Sequence, residues 1–460
     1  MRRSGRKNSF GTFIFSVLLI ALIAGAGFIY VSPTFEQDKP KIIIDTNKFW
    51  NLKDKLKIKI SDQSGLKYYK ITFIDDKNNI ILAEESMINN TIKDQIIKVN
   101  PPKLSPFYKN TLVKIKVEAT DNSKWNFLKG NSSNQIFNIK IDKEKPIASI
   151  INNSRYIKRG GSAVAIVKIE DENLKDAYIT FNDKVKFRLT PFYKKNYFIS
   201  LIAWPIYIKE FSIVNLVAID KAGNKTVSKV PLYIQKAKLK TDTIKISEKF
   251  INEVSKNVLT QSGLEIPNDL ESIFVKENKI VRQQNIDFLR KIGLTKMDYS
   301  RINSFNIKNF RRLNGSKTVA GFAERRSYIF DGNKIDEEWH LGMDWAKIKH
   351  AKIVASNPGK VIFNSYLGIY GNVAIIDHGL GLASLYAHRS NSDVTVGQTV
   401  YKNSKIGNTG RTGAVLGDHL HFGILVQGIE VDPIEWMDRN WIKTRITNII
   451  NQSKKEISKK

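Results

Sequence analysis

The spacing of apolar residues changes several times along the chain. Phe10 to Val31 contains no charged residue, and about 20 apolar residues are enough to cross a bilayer as a helix. From Lys39 to Gln235 apolar and polar residues alternate, as in "LKIKISD" from Leu56 and "TLVKIKVEATD" from Thr111. A period of two marks strands with one buried face, and turn residues break the runs at short intervals. After Lys236 the spacing lengthens. "ISEKFINEVSKNVL" and "DLESIFVKENKIVRQQNIDFLRKIG" carry Ile, Phe, Val and Leu at helical intervals. Ser247 and Asp269 are the expected N-caps and Gly293 the expected stop. Beyond this stretch, short apolar runs are separated by "GIYGN", "DHGLG" and "GNTGRTG", the punctuation of strands joined by tight turns.

The alternating stretch repeats itself. "KPKIII" at Lys39 returns as "KPIASI" at Lys145, and "LKIKISDQSGLKYYKITF" from Leu56 as "VAIVKIEDENLKDAYITF" from Val164. "VKIKVEATDNSKWN" from Val113 is echoed by "VNLVAIDKAGNKT" from Val214. Offsets of about 100 residues fit one immunoglobulin-like sandwich each. "AIDKAGN", from Ala218, resembles the end of bacterial modules of that kind, where Asp and Gly-Asn build the last hairpin. The expected fold is therefore mainly β and multidomain. A basic cytoplasmic N-terminus occupies 1–9 and a transmembrane anchor 10–31. Immunoglobulin-like modules follow at 38–143 and 144–235, then a short helical neck at 236–310. A β-rich domain at 311–440 and a basic tail at 441–460 complete the chain. The two modules carry no catalytic constellation and read as a spacer or docking surface. The apolar stripe of the neck reads as packing.

Arg2, Arg3, Arg6 and Lys7 precede the apolar run. Positive residues stay on the cytoplasmic side, which directs the remainder outward. Ala24-Gly25-Ala26 offers a small-residue cleavage site. A cleavable leader, however, has an apolar region of only about 7–15 residues, so an uncleaved anchor is expected. The chain holds 74 Lys and Arg against 44 Asp and Glu, an excess that draws anionic partners. Ser316 to Asn440 is nevertheless balanced, with 13 basic and 13 acidic residues. Most of the excess lies earlier, as single lysines along strand-like segments. That is the pattern of a solvated surface with loose attraction to an anionic envelope. No zinc-finger spacing or clustered basic helix is present, so nucleic-acid binding is not expected. The absence of cysteine excludes disulfides, thiolate catalysis and Cys-ligated zinc, and leaves His and carboxylates as metal donors.

The six histidines, His340, His350, His378, His388, His419 and His421, all fall in that balanced window. Imidazoles crowded together without Cys point to a metal site or acid–base chemistry. "EEWHLGMDWA" sets His340 four residues before Asp344. A helix would put both on one face, but Gly342 lies between them. In "GDHLHFGI" the surroundings favour a strand, so His419 and His421 share a face. "SLYAH" adds His388.

Together, "HLGMD", "SLYAH" and "HLHF" resemble the lysostaphin-type (LytM-like) zinc metallopeptidases, which cut peptide cross-links in peptidoglycan. "GNVAIIDHGLGLASLYAH", "VTVGQTVYKNSKIGNTGRTG" and "GIEVDPIEWM" are similar to the same domain, from about Ala323 to Met437. "AERRSYIFDGNKIDEEWHLGMDWA" resembles the strand that leads into the motif in envelope members. The resemblance implies that His340, Asp344 and His421 ligate Zn2+, and that His388 and His419 are unligated catalytic imidazoles. It also implies a substrate groove along the sheet and, with the anchor, a single-pass protein of the bacterial inner membrane. Its catalytic domain would face the periplasm or cell wall and act on peptidoglycan stem peptides or cross-links. The chemistry agrees. Three ligands leave a fourth position for water, whose pKa zinc lowers to about 7. No H-E-x-x-H glutamate is present, so His388 or His419 must move the protons, in roles left open. Gly423, Asp418 and Arg389 stand where the family commonly has Glu, Pro and Leu; none is one of the five site positions. His378 is expected to be structural and His350 superficial. The alternative function is a non-catalytic LytM-like peptidoglycan binder or a regulator of another hydrolase. Such degenerate domains usually lack ligands. A further expectation is latency, with the modules or the neck folded over the groove.

Overall fold

The computed structural model describes residues 9–44, 48–87, 91–105 and 107–459. Most of the expected cytoplasmic segment, residues 1–8, lies outside them. The chain divides into two compact units. The first is Met1–Lys145 with Asn173–Lys175 and Ile219–Lys225. The second is Pro146–Glu172, Asp176–Ala218 and Thr226–Lys460.

In the first unit, Ser9–Val31 is one helix. Its stretch Phe10–Val31 is long and apolar enough to cross a bilayer, a test that a leader sequence also passes. Two sheets follow. Lys41–Ile44, Leu56–Ser61 and Asp94–Val99 form a three-stranded sheet. Phe49–Trp50, Ser132–Ile141, Leu112–Asp121, Leu66–Ile74 and Asn79–Ser86 form a five-stranded one, in that order. In Leu56–Ser61 the residues Leu56, Ile58 and Ile60 are buried while Lys57 and Lys59 face water. Ile71, Phe73, Ile115 and Val117 of the larger sheet join them in one core. Here the lysines take the outward positions of strands whose other face is apolar.

The internal repeat has a structural signature. Asp121 Oδ1 and Oδ2 accept from the backbone N–H and side-chain amide of Asn131, at 2.8 and 2.9 Å. Asp220 accepts from Asn224 in the same two-pronged way, at 2.8 and 2.8 Å. In both pairs the Asn amide also reaches a backbone carbonyl of the preceding linker, Glu36 or Asp142, at 2.9 Å. The second β stretch, like the first, folds into two sheets. One contains Thr190–Pro191, Tyr197–Ala203, Ser162–Glu170 and Ile147–Asn153. The other contains Val185–Arg188, Leu174–Phe181, Val214–Asp220 and Lys225–Lys229.

The helical stretch is built differently from a free-standing neck. It opens with a strand, Lys240–Lys245, which pairs in parallel with Glu324–Phe330. That strand pairs in turn with Asn333–His340, completing a small three-stranded sheet. Ser247 and Asp269 cap the helices as expected, their side chains accepting from Phe250 and Ser272 N–H. Phe250, Val258, Phe274, Val281 and Leu289 then share a core with Ile369, Tyr370, Ile375, Leu385 and Leu425 of the C-terminal domain. Each such side chain contributes about 1.5–3 kcal/mol on burial, so the apolar stripe of this stretch is packing, as expected. Gly293 does not stop the last helix, which continues from Arg282 to Thr295. It is a contact point instead. A Cβ there would lie 2.3 Å from the Gln427 backbone carbonyl.

The C-terminal domain is organised by an eight-stranded sheet. Its order is Lys317–Ala320, Met343–Ala346, Leu420–Val426, Leu382–Ala387, Asn372–Asp377, Gly359–Tyr366 and Thr399–Val400. Ile429–Val431 pairs with Leu420–Val426 off that path. The expected basic tail is helical through Arg439–Ile442, Lys443–Thr447 and Asn448–Lys459. Ile446, Ile450, Ser453 and Ile457 recur at helical spacing and are buried, which charge counting alone could not reveal. The Ser154 hydroxyl donates to Arg445 O at 2.7 Å and ties this segment to the second β stretch.

Polar groups lock the helices to the small sheet. The Asn278 amide donates to Asp336 Oδ2 at 2.8 Å, and Lys279 pairs with Asp336 Oδ1 at 3.1 Å. Burial, opposed by Arg282 and the Ser255 hydroxyl, pushes Glu277 up to about 7. Between its unfolded value of about 4.3 and that raised value, the native state keeps a proton that the unfolded state has released. Stability therefore falls as pH rises through this window. Glu277→Gln should flatten the decline, raising the melting temperature more at about pH 8 than at about pH 5 when followed by circular dichroism. Gly293→Ala should destabilise the second unit by about 1–3 kcal/mol in urea unfolding, because the helix must move off the Gln427 backbone.

Candidate active site

His340 is the last residue of Asn333–His340 in the small sheet, and Asp344 the second residue of Met343–Ala346 in the large one. The H-x-x-x-D motif thus runs strand, kink, strand rather than along one face of a helix. Leu341 anchors the kink in an apolar cluster with Ile206 and Ala323. Gly342 makes the close packing possible. A Cβ there would stand 2.4 Å from His421 Nε2 and 2.5 Å from its Cε1.

Strand register brings the other groups in. Asp344 lies directly opposite His421 on one neighbour, and His421 lies opposite Ala387 on the next. Paired residues of an antiparallel ladder share a face, so Asp344 and His421 project together. His388 follows Ala387 immediately, with a left-handed φ of 58°. Its N–H donates to Tyr370 O at 2.9 Å, which helps hold an uncommon conformation for a non-glycine residue. His419 makes an isolated bridge to Gly410 one residue before the strand begins.

Three donor atoms converge. His340 Nε2 lies 3.1 Å from Asp344 Oδ1 and 3.1 Å from His421 Nδ1. His421 Nδ1 lies 2.9 Å from the same Asp344 oxygen. Ligand bonds of about 2.0–2.1 Å in a tetrahedron require donors roughly 3.3 Å apart, so this triangle has the size of one metal-binding face. His340 Nδ1 is 2.7 Å from Gly321 O. Only a protonated Nδ1 can donate to that carbonyl, which leaves the Nε2 lone pair facing Asp344 and His421. Burial alone would raise the Asp344 pKa. The imidazoles of His340, His419 and His421 around it reverse that and hold it well below the ordinary carboxylate range. For His421 burial dominates and lowers the pKa to about 4, so it is a neutral donor at physiological pH.

His388 and His419 flank the triangle, their rings 4.9 Å apart. Each presents Nδ1 to a backbone carbonyl, Thr412 O for His388 and Gly417 O for His419, both at 2.8 Å. Donation from Nδ1 leaves each Nε2 for the site. His419 Nε2 lies 3.6 Å from Asp344 Oδ1. The two remaining histidines are elsewhere. His378 bonds Pro358 O and the Ser384 hydroxyl at 2.7 and 2.8 Å, and burial lowers it to about 4. The His350 side chain is half exposed. Arg389 is buried, donating to Ile406 O at 2.8 Å and to Asn364 Oδ1, so it clamps loops instead of entering the site. Asp418 is held by the Thr409 hydroxyl and His350 N–H.

All five expected site residues line one cavity of about 390 Å³. Periodicity and motif reading missed the rest of its wall. Phe250, Phe274, Asn278 and Arg282 come from the helical stretch, and Arg326 and Tyr328 from the strand before the motif. Helical spacing marked Phe250 and Phe274 as buried but could not say against what.

A buried His/Asp/His triangle with two more imidazoles at an open cavity is an arrangement of metallohydrolases. Residues 338–433 match Peptidase family M23, and the chain carries a LytM-like domain of that family. Over 95 residues the chain is 36% identical to the DD-carboxypeptidase/endopeptidase Mpg of Neisseria meningitidis serogroup B, covering 21% of this chain and 22% of that protein. Over 117 residues it is 32% identical to the peptidoglycan DD-endopeptidase ShyB of Vibrio cholerae, covering 25% and 27%. The alignments thus span about a quarter of each relative or less. The catalytic domain of lysostaphin from Staphylococcus simulans superposes with 25% identity and a TM-score of 0.23, over 27% of this chain and 94% of that one.

Gly342→Ala should push His421 out of the triangle. We expect zinc affinity, measured by competition with a chromophoric chelator, to fall by about 10- to 100-fold, with the circular dichroism spectrum unchanged.

Proposed function

We propose that this chain is a zinc metallopeptidase that hydrolyses peptide bonds in peptidoglycan stem peptides or cross-links. The observation that carries the reading is the convergence of His340 Nε2, Asp344 Oδ1 and His421 Nδ1 beside two imidazoles whose Nδ1 atoms are committed to carbonyls. The family match at 338–433 and the peptidoglycan relatives support the substrate class. In this reading Phe10–Val31 anchors the protein in the bacterial inner membrane. Two immunoglobulin-like modules, at 38–143 and 144–235, precede the catalytic domain at 311–440, which faces the periplasm or cell wall.

His340, Asp344 and His421 would hold the zinc. A zinc ion there supplies a Lewis acid for the scissile carbonyl and a water acidified to near neutral pH. The chain's own residues do the rest. Burial and the neighbouring imidazoles His419 and His421 keep His388 well below its ordinary pKa. It is therefore neutral, with Nε2 available to accept a proton from water. For His419 burial pulls the pKa down, but the Asp344 hydrogen bond and charge outweigh it and raise the value. This favours the protonated ring of His419, whose Nε2 is placed to stabilise the oxyanion and to protonate the departing amine. Both rings are fixed by their carbonyl bonds, so little reorganisation accompanies transfer.

His340→Ala and His421→Ala should each lose bound zinc and the release of muropeptides from isolated sacculi. His388→Ala should keep its zinc while cleavage falls by about 100- to 10,000-fold. Retention of both metal and cleavage in either ligand variant would sink the proposal. Zinc binding without any cleavage by the wild type would favour a peptidoglycan binder or regulator of another hydrolase.

A further inference from the structure

Arg326 stands out among the residues around the cavity. It lies on Glu324–Phe330, opposite Glu338 in the small sheet, and lines the same cavity as the five site residues. Its side chain is only 18% exposed. Its Nε is buried and, among the described residues, has no hydrogen-bond partner. Nη2 stands 3.5 Å from Asp344 Oδ2 and 3.6 Å from Glu324 Oε2, distances of charge proximity rather than of short hydrogen bonds. Each carboxylate meets Arg326 with one oxygen and a different partner with the other. Asp344 Oδ1 faces the imidazoles, and Glu324 Oε1 accepts from Gly321 N–H at 2.8 Å.

A buried donor left unsatisfied costs about 1–3 kcal/mol, and such groups call for an explanation. The other guanidinium on the cavity wall is held differently. Arg282 spends Nε and Nη2 on Asn278, at 3.0 and 2.6 Å. Arg326 is therefore a planar, permanently charged fork on the cavity wall, loosely held by two carboxylates and one side chain away from the donor triangle. Its natural ligand is a carboxylate, which a guanidinium binds with two parallel N–H bonds.

We infer that Arg326 recognises a free carboxylate on the amine side of the scissile bond and so selects which peptidoglycan bond is cut. The inference rests on the metallopeptidase reading above. It separates three candidate bonds by their chemistry. In a D-Ala to diaminopimelate cross-link, the carbon bearing the scissile nitrogen also bears a free carboxylate. In a terminal D-Ala–D-Ala bond the departing residue likewise carries its α-carboxylate. An internal amide of a glycine bridge has no carboxylate at that place. Arg326 assigns the first two classes and excludes the third. It acts by binding and moves no proton.

The test uses the purified full chain in detergent, loaded with zinc. kcat/KM is measured on a muropeptide dimer joined through D-Ala to meso-diaminopimelate. It is measured again on the same dimer with the carboxylate beside the scissile amide converted to carboxamide, and on a pentaglycine-bridged peptide. The wild type should prefer the carboxylate dimer over its carboxamide by about 10- to 100-fold, the value of charge-assisted hydrogen bonds, and should leave the glycine bridge intact. In Arg326→Gln that ratio should collapse toward one while zinc stoichiometry stays the same. Arg326→Lys should restore part of it, since a point charge lacks the second prong. Equal rates on carboxylate and carboxamide by the wild type would overturn the inference without needing a variant, as would an unchanged ratio in Arg326→Gln. A wild type that cleaves none of the substrates overturns the peptidase reading, and this inference with it.

Discussion

One carboxylate oxygen carries the site. Asp344 Oδ1 lies within hydrogen-bond distance of His340 Nε2 and His421 Nδ1, in a place where burial would ordinarily make a carboxyl give up its charge. Its charge survives because imidazoles surround it. The tautomer of His340 is set by Gly321 O, that of His388 by Thr412 O and that of His419 by Gly417 O. These carbonyls belong to loops and turns, so the electrostatics of the centre depend on backbone that has no regular ladder to hold it. The strand register from Ala387 through His421 to Asp344 supplies the rigidity that those loops lack.

The surrounding architecture can be understood as support for that arrangement. The helical stretch covers one face of the large sheet with a shared apolar core, and its polar residues reach Asp336 on the strand that ends at His340. On another side, the second β stretch binds the domain through buried polar groups. Glu435 accepts from Ser162 N–H at 2.8 Å, and Trp436 Nε1 donates to the Ser162 hydroxyl at 3.1 Å. The Gln427 side chain bonds Arg188 N–H at 2.8 Å and Leu201 O at 3.1 Å. Buried polar contacts of this kind fix one geometry, because any slip leaves donors or acceptors unmatched. A site that needs sub-ångström positioning benefits from such a frame.

The candidate site was largely legible in the sequence because metal and proton chemistry admit few residue types. Six histidines in one charge-balanced window, with His340 and Asp344 four apart and His419 two before His421, left little room for other readings. The strands of the first unit were legible for a similar reason, since "LKIKIS" can bury only one face. What stayed hidden was the partner of each apolar face. Helical spacing showed that Phe250 and Val258 were buried, but a stripe does not say whether it packs on its own helices or on a sheet beginning some 60 residues later. Gly293 looked like a stop because glycine usually serves that role after a helix. Its real use, close approach to Gln427, is a long-range contact without a local signature. Arg326 was similarly opaque. It is one of two adjacent arginines, Arg325 and Arg326, and only the pleat of the strand distinguishes the one on the cavity from the one outside it.

The kink at Leu341 and Gly342 divides the donor triangle between two sheets. His340 moves with the small one, and Asp344 and His421 move with the large one. The donor triangle is thus also a ruler laid across a seam. A shift of one sheet against the other by a fraction of an ångström lengthens the two edges that meet at His340 and leaves the third unchanged. Binding at the triangle and alignment of the sheets are consequently linked quantities, each biasing the other by the same free energy. Whatever grips the helical stretch or the strand it carries, Lys240–Lys245, therefore acts on the spacing of the triangle without ever touching its three side chains.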